Sequence, residues 1–352
     1  MSRAQLTSTV EQNSAGAAAP FVAGKNKIIN GDFSIWQRGT SISITSTNQY
    51  SADRFLHGYD GTGATRTVTQ QTFTPNTAGN PTNAISGGYN RYMQIAQSVA
   101  GSGGSYNLIE QRIEGAILAG QTVTFSFWAK AASSLTLPQV DMEYNIAGTN
   151  YYLGVIASSV SVGTSWAKYS YTFTMPTYSG LSPNGTGDWV GLRIWVPVNT
   201  TFTFSTWGWQ LEAGSVATPF TTASGTLQGE LALCQRYFKR YTDPTLSNTA
   251  SIGVGYCNTT TNLVVELLTP VTMRTSPTVS WSSASYFVVD AGSTTALTCT
   301  AISVYDQNPN NITVVSSVSG SGTVTIGWAG RLRVGSGSTN INNATFDLSA
   351  EL

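Results

Sequence analysis

From Asn26 to about Phe220 the chain alternates apolar and polar residues with a period of two, the pattern of half-buried β-strands. In QTVTFSFWAK, Val123, Phe125, Phe127 and Ala129 share one parity, while Thr122, Thr124, Ser126 and Trp128 share the other. AKYSYTFTMP alternates Tyr169, Tyr171, Phe173 and Met175 with Ser and Thr. In DWVGLRIWVPV, Val190, Leu192, Ile194 and Val196 face one way, and Trp189, Arg193 and Trp195 the other. TFTFSTWGWQLE places Phe202 and Phe204 on one parity and Trp207, Trp209 and Leu211 on the opposite one, so a bulge or bend is expected beside Gly208. Loops such as AGSGGSY and YSGLSPNGTGD supply turn residues for antiparallel neighbours.

The expected fold class is all-β: a jelly-roll β-sandwich, then a short helix, then a second, smaller β-sandwich. Residues 1–24 have no strand or helix period and read as an arm, residues 25–222 as the jelly roll, 223–243 as a linker helix and 244–352 as the second β-module. The helix is expected over TLQGELALCQRYFKRY, with Thr226 as its cap, Glu230 near its positive end, and Lys239 and Arg240 near its negative end. Leu227, Leu231, Cys234, Phe238 and Tyr241 then form a seam at spacings of four and three. Two readings of that seam stand: packing on the chain's own sandwich, or a short bundle around an oligomer axis.

Composition narrows the chemistry. Seventeen Lys and Arg balance seventeen Asp and Glu, and only 10% of residues are charged. Nucleic acid is therefore not an expected partner, since phosphates call for a basic stripe. No apolar run approaches the roughly 18 residues of a membrane helix, so no membrane insertion is expected. The start, MSRAQLTSTVEQ, lacks an apolar signal core, which leads to an expectation of assembly in a reducing compartment. Cys234, Cys257 and Cys299 have no metal-binding spacing and read as buried thiols.

There is one histidine, His57, which reads as structural rather than as a catalytic base. No nucleophile elbow and no phosphate loop occur. A carboxylate pair for glycoside hydrolysis would have to come from Asp53, Asp60, Glu110, Glu114, Asp141 and Glu143, whose convergence spacing alone does not fix. The expectation is a protein that is not an enzyme.

Aromatic side chains on a sandwich suit sugars, whose apolar ring faces stack on Trp or Tyr. Trp189, Arg193 and Trp195 lie on one face of one strand, at about 6.6 Å per two-residue step. These Trp side chains could equally face a covering layer. Trp128, in a row of Thr and Ser, reads as the most exposed aromatic, so Trp128, Trp189, Arg193 and Trp195 are the candidate carbohydrate-binding residues.

NKIINGDFSIWQRGTS followed by YSADRF resembles the opening of a domain found in tail fibres and related virion proteins of tailed bacteriophages. TVTFSFWAKA, the junction WGWQLEAGSVATPF, the string ELALCQRYFKRY, VTMRTSPTVSWS and the terminal SAEL resemble later parts of the same family, so the likeness covers most of residues 26–352. In place of the family's charged linker before the helix stands TTASGTLQG.

This resemblance implies a carbohydrate-binding-module-like jelly roll in a homotrimeric fibre. The fibre would be made in the host bacterial cytoplasm and located in the virion. It would attach to other virion proteins through its N-terminal arm and bind a host-surface glycan. The resemblance also implies a structural calcium beside NGDF, with Asn30, Asp32 and the late carboxylate Glu212 as candidate ligands. A head fibre, adaptor or decoration protein, or a glycan depolymerase, are the alternatives.

Overall fold

The computed structural model describes residues 24–45, 47–84, 90–185, 187–242, 251–292, 296–318, 324–335 and 344–352, so the expected arm falls almost wholly outside them. The chain divides into two compact units, residues 1–231 with Leu352, and residues 232–351.

In the first unit the strands are β1 (Ser41–Ile44), β2 (Gln49–Tyr50), β3 (Leu56–Tyr59), β4 (Thr65–Thr72), β5 (Arg91–Val99) and β6 (Asn107–Glu114). They continue with β7 (Thr122–Ala131), β8 (Leu135–Ile146), β9 (Thr149–Val162), β10 (Ala167–Thr174), β11 (Trp189–Trp195) and β12 (Phe202–Ala213). Two six-stranded sheets result, ordered β1-β4-β5-β12-β7-β10 and β2-β3-β6-β11-β8-β9. Their pairings are antiparallel, and β6, β7, β11 and β12 go alternately to one sheet and the other, as in a jelly roll.

The inward parities are those the alternation predicts. Val123, Phe125, Phe127 and Ala129 are fully buried, and Val190, Leu192 and Ile194 meet them from the other sheet in one core. Trp209 stands at its centre, edge-on to Phe55 and Phe125 with ring centroids 5.3 Å away in each case. The parity switch on β12 is a bulge between Trp207 and Gln210, and Gly208 there has φ of +68°, a left-handed conformation that costs a glycine little. The bulge lies beside Gly208 as expected, but the switch comes after Trp207 rather than before it. Trp207 points outward into a small cluster with Phe73 and Phe220, while Trp209 and Leu211 turn into the core.

The segment before β1 is fastened onto β12. Asn26 donates to the carbonyls of Trp209 and Thr221, and its Oδ1 accepts from the amides of Ile28 and Leu211. Lys27 N–H bonds to Leu211 O, Trp209 N–H to Gly31 O, and Gly24 N–H to Ala223 O.

The helix is shorter than expected. It runs as α1 (Leu227–Gln235), with Thr226 Oγ1 accepting the Gly229 amide at 3.0 Å, the predicted cap. Glu230 is buried in its first turn and accepts the amides of Asn30 and Ser224, both at 2.7 Å. Residues Phe238–Tyr241 form a strand, β13, paired with Phe346–Ser349, and Arg240 grips Asp347 across that pair at 2.6–2.7 Å. The five-residue helical seam is thereby corrected. Leu227 is 53% exposed, Leu231 half-buried and Cys234 fully buried, while Phe238 and Tyr241 follow strand geometry.

The second unit adds β14 (Ser251–Cys257), β15 (Asn262–Leu268), β16 (Thr278–Trp281), β17 (Phe287–Ala291), β18 (Leu297–Gln307), β19 (Asn311–Val318), β20 (Ala329–Val334) and β21 (Phe346–Ser349). The second β-module expected from the sequence is present, but its larger sheet closes on itself. The barrel order is β14-β15-β19-β18-β17-β20, and β13-β21-β16 form a small separate sheet. Alternate residues of β15 and β19, among them Leu263, Val265, Ile312 and Val314, fill the barrel together with Phe287 and Leu332. Cys234, Cys257 and Cys299 are buried thiols, and burial pushes the Cys299 thiol up to about 12.

Candidate functional site

The side of the β2-β3-β6-β11-β8-β9 sheet turned away from the core carries a cluster of charged and aromatic side chains. On β11 the register sets Arg193 opposite Glu110 of β6 and Asp141 of β8. One step along, Gly191 lies between Arg112 and Glu143, and at the other end Trp195 is opposite Leu108. Side chains of every second residue therefore form rows across three strands, with neighbouring strands about 4.8 Å apart.

Arg193 is the hub. Its Nε donates to Asp141 Oδ1 at 2.7 Å, its Nη2 to Asp141 Oδ2 at 2.9 Å, and its Nη1 to Glu143 Oε2. Burial works against its charge, but the bonds to Asp141 and the nearby carboxylates outweigh this and raise its pKa. Asp141 also accepts the Trp195 indole N–H at 3.0 Å and the Gln139 amide at 2.8 Å, which fixes the Trp195 ring. Tyr106 meets that ring edge-on at 6.5 Å, and the exposed ring of Tyr152 lies 5.6 Å from the Arg193 guanidinium.

Glu110 has the most altered acidity in the group. Burial pushes its carboxyl up to about 7; Arg112, bonded to it at 3.0 Å, opposes the shift, and Glu143 adds to it. Gly191 makes room for it: a Cβ there would lie 2.4 Å from Glu110 Oε1. Between these side chains runs an open groove of about 230 Å³, lined by Gly58, Leu108, Tyr106 and Trp195, with Glu110, Arg112, Glu143 and Arg193 supplying polar atoms. It is smaller than the roughly 300–1,000 Å³ of an enclosing pocket and suits a ligand that extends beyond it.

Three of the four predicted sugar-contact residues thus share one face, in different settings. Trp195 borders the groove and Arg193 lines it, whereas Trp189 is 6% exposed under the Arg112 guanidinium, 4.3 Å from its ring centroid. Trp128 lies on β7 in the opposite sheet, half-buried against the Trp207 cluster. The alternation Leu108, Glu110, Arg112, Glu114 in NLIEQRIE was the signal for the β6 contribution.

His57 is fully buried with Nε2 2.7 Å from Ser51 Oγ, and burial, then the Arg66 charge, holds its pKa well below the usual value. It is away from the groove on the inward parity of β3, opposite Ile109.

The calcium ligands suggested by NGDF do not fit that ion. Asn30 spends its Nδ2 on the carbonyls of Ile35 and Asp53 and its Oδ1 on the Ile35 amide. Glu212 faces the Lys25 ammonium at 3.3 Å and accepts from Thr218 and Gln210. Asp32 is buried, and its carboxyl is pushed up to about 6 by burial, with the Glu230 charge adding to it. Among the described residues no three His, Cys, Asp or Glu side chains gather as a metal site.

A family model described as a carbohydrate binding domain matches residues 77–186, a span that includes β6 and β8 of the groove and stops before β11. No curated protein matches the chain. Among solved structures, the enzymatically active domain of tailspike protein 4 from bacteriophage CBA120 is similar at 15% identity and a TM-score of 0.34, over 54% of this chain and 22% of that one. A CBM4 module is similar at 16% identity and a TM-score of 0.31, over 53% of this chain and 98% of that one. The family 11 carbohydrate-binding module of Clostridium thermocellum, solved with a β-1,3-1,4-mixed-linked tetrasaccharide, gives 10% identity and a TM-score of 0.29, over 51% and 98%.

Proposed function

We propose that the first sandwich binds a glycan chain along the groove beside Trp195, without cleaving it, and that the protein is a tail-fibre or tail-tip component of a tailed bacteriophage. The observation that carries the binding reading is the hub at Arg193. It holds Asp141, Glu143 and the Trp195 ring in place before any ligand arrives, which lowers the ordering cost of binding. A sugar ring stacks on Trp195 while its hydroxyls bond to the carboxylates and guanidinium groups around it. The match of residues 77–186 to a carbohydrate-binding family supports the same reading.

The virion role draws on the strings NKIINGDFSIWQRGTS, WGWQLEAGSVATPF and ELALCQRYFKRY. In it the N-terminal arm joins other virion proteins, and three copies add avidity to weak individual sites. Affinity electrophoresis against neutral polysaccharides, mixed-linkage β-glucan and xylan among them, and against host envelope glycan tests the groove. Retardation by at least one polymer and its loss in Trp195→Ala are expected; no retardation by any of them overturns the reading. Adsorption to host cells, blocked by the soluble protein, and a trimer in sedimentation test the fibre role, whereas immunolabelling on the head would favour an architectural part.

One observation favours a second reading. A carboxyl raised to about 7, as Glu110 has, is also what a general acid of a depolymerase needs. Release of reducing ends that disappears in Glu110→Gln would establish catalysis.

A further inference from the structure

The opposite sheet of the same sandwich carries a second, larger hollow of about 340 Å³, lined by the 72–80 segment, Tyr92, Lys130 and the 164–166 turn. Three aromatic rings build one wall. Phe73 lies 4.7 Å from Tyr92 and 5.2 Å from Trp166, and Tyr92 meets Trp166 edge-on at 5.2 Å. Lys130 is half-buried on the outward parity of β7, with its Nζ 5.3 Å from the Trp166 centroid and 5.8 Å from that of Tyr92.

Among the described residues no acidic side chain lines the hollow, and the Lys130 ammonium lies over ring faces. Arg91, whose Nη1 donates to the lining residue Thr72 at 2.6 Å, brings a second positive charge to the rim. Thr77, Thr164 and Ser165 add hydroxyl-bearing side chains around the opening.

A cation held over aromatic faces without a carboxylate beside it lacks half of an ion pair. The ring faces suit an apolar sugar face, the hydroxyls suit its hydroxyls, and the ammonium suits an anionic substituent. We propose that this hollow is a second glycan site, selective for a sugar residue bearing a carboxylate, with Lys130 pairing the carboxylate and Trp166 and Tyr92 stacking the ring. The site is separate from the Trp195 groove and does not depend on it. The overall charge balance of zero is no obstacle, because the selectivity is local.

Calorimetric titration of the full chain with oligogalacturonate, with its methyl ester and with α2,8-linked oligosialic acid tests this. Binding of at least one of the two acidic oligosaccharides is expected. A bound oligogalacturonate should lose at least tenfold in affinity on esterification. Lys130→Met should weaken the acidic ligand at least tenfold, Lys130→Arg should restore most of it, and added salt should weaken it. Trp195→Ala should leave it unchanged, which separates this site from the groove. The proposal is overturned if neither acidic sugar binds at millimolar concentration, or if Lys130→Met binds as the wild type does. It also fails if Trp195→Ala removes the binding, or if a polyglutamate peptide binds as tightly as the acidic sugars.

Discussion

Arg193 holds Asp141 through two parallel hydrogen bonds of 2.7 and 2.9 Å, and the carboxylate it holds is fully buried. Removing one partner of such a pair strands the other charge, a loss of about 3–5 kcal/mol. Arg193→Met should therefore lower the stability of the first sandwich by about that much in urea titration. The double variant Arg193→Met with Asp141→Leu should recover a large part of it, because the fully buried carboxylate is then gone and only the half-buried Glu143 loses its partner.

Glu110 gives stability a pH dependence with a definite sign. Its carboxyl lies at about 7 in the folded protein, above the ordinary 4.5. Its contribution is thus fully present below the unfolded value and is lost as the pH rises through the folded one. The urea midpoint of the wild type should fall between about pH 5 and about pH 8, and the profile of Glu110→Gln should be flatter over that window.

Gly191→Ala tests whether groove geometry rather than stability limits binding. The new Cβ would meet Glu110 Oε1 at 2.4 Å and Trp189 Cζ3 at 3.0 Å, so the carboxylate must move. Affinity for a groove ligand should drop about tenfold, or ~1.4 kcal/mol, with a smaller change in unfolding free energy. An unchanged affinity would mean that Glu110 does not touch the glycan.

Trp209 is the large residue on which the jelly-roll core closes, with its indole N–H donated to Thr206 Oγ1 at 2.8 Å. Trp209→Ala should cost about 3–5 kcal/mol, read as a lowered melting temperature.

Much of this was legible in the chain itself, because alternation is a local property. The inward rows of β7 and β11 and the bulge beside Gly208 follow from residues adjacent in sequence. The groove is different. Arg193, Glu110 and Asp141 come from three strands far apart along the chain, and only the pairing register brings them into one row. Sequence spacing alone leaves the same carboxylates as scattered candidates for an acid pair and leaves open whether Trp189 is exposed or covered; the register places it under Arg112. The helix ends at Gln235 for a related reason. Phe238 and Tyr241 continue a helical spacing, but pairing with Phe346–Ser349 satisfies their backbone in a strand.

The fastening of residues 24–31 to β12 has a mechanical consequence. Tension entering the sandwich at Gly24 meets its bond to Ala223 O, then the four bonds of the Asn26 side chain, then the Lys27 and Gly31 backbone contacts. These contacts lead directly to Trp209 and Leu211 in the core, so a pulling force is shared among many bonds and carried into the core of the unit. The entry point of the sandwich is thereby built as an anchor able to bear load.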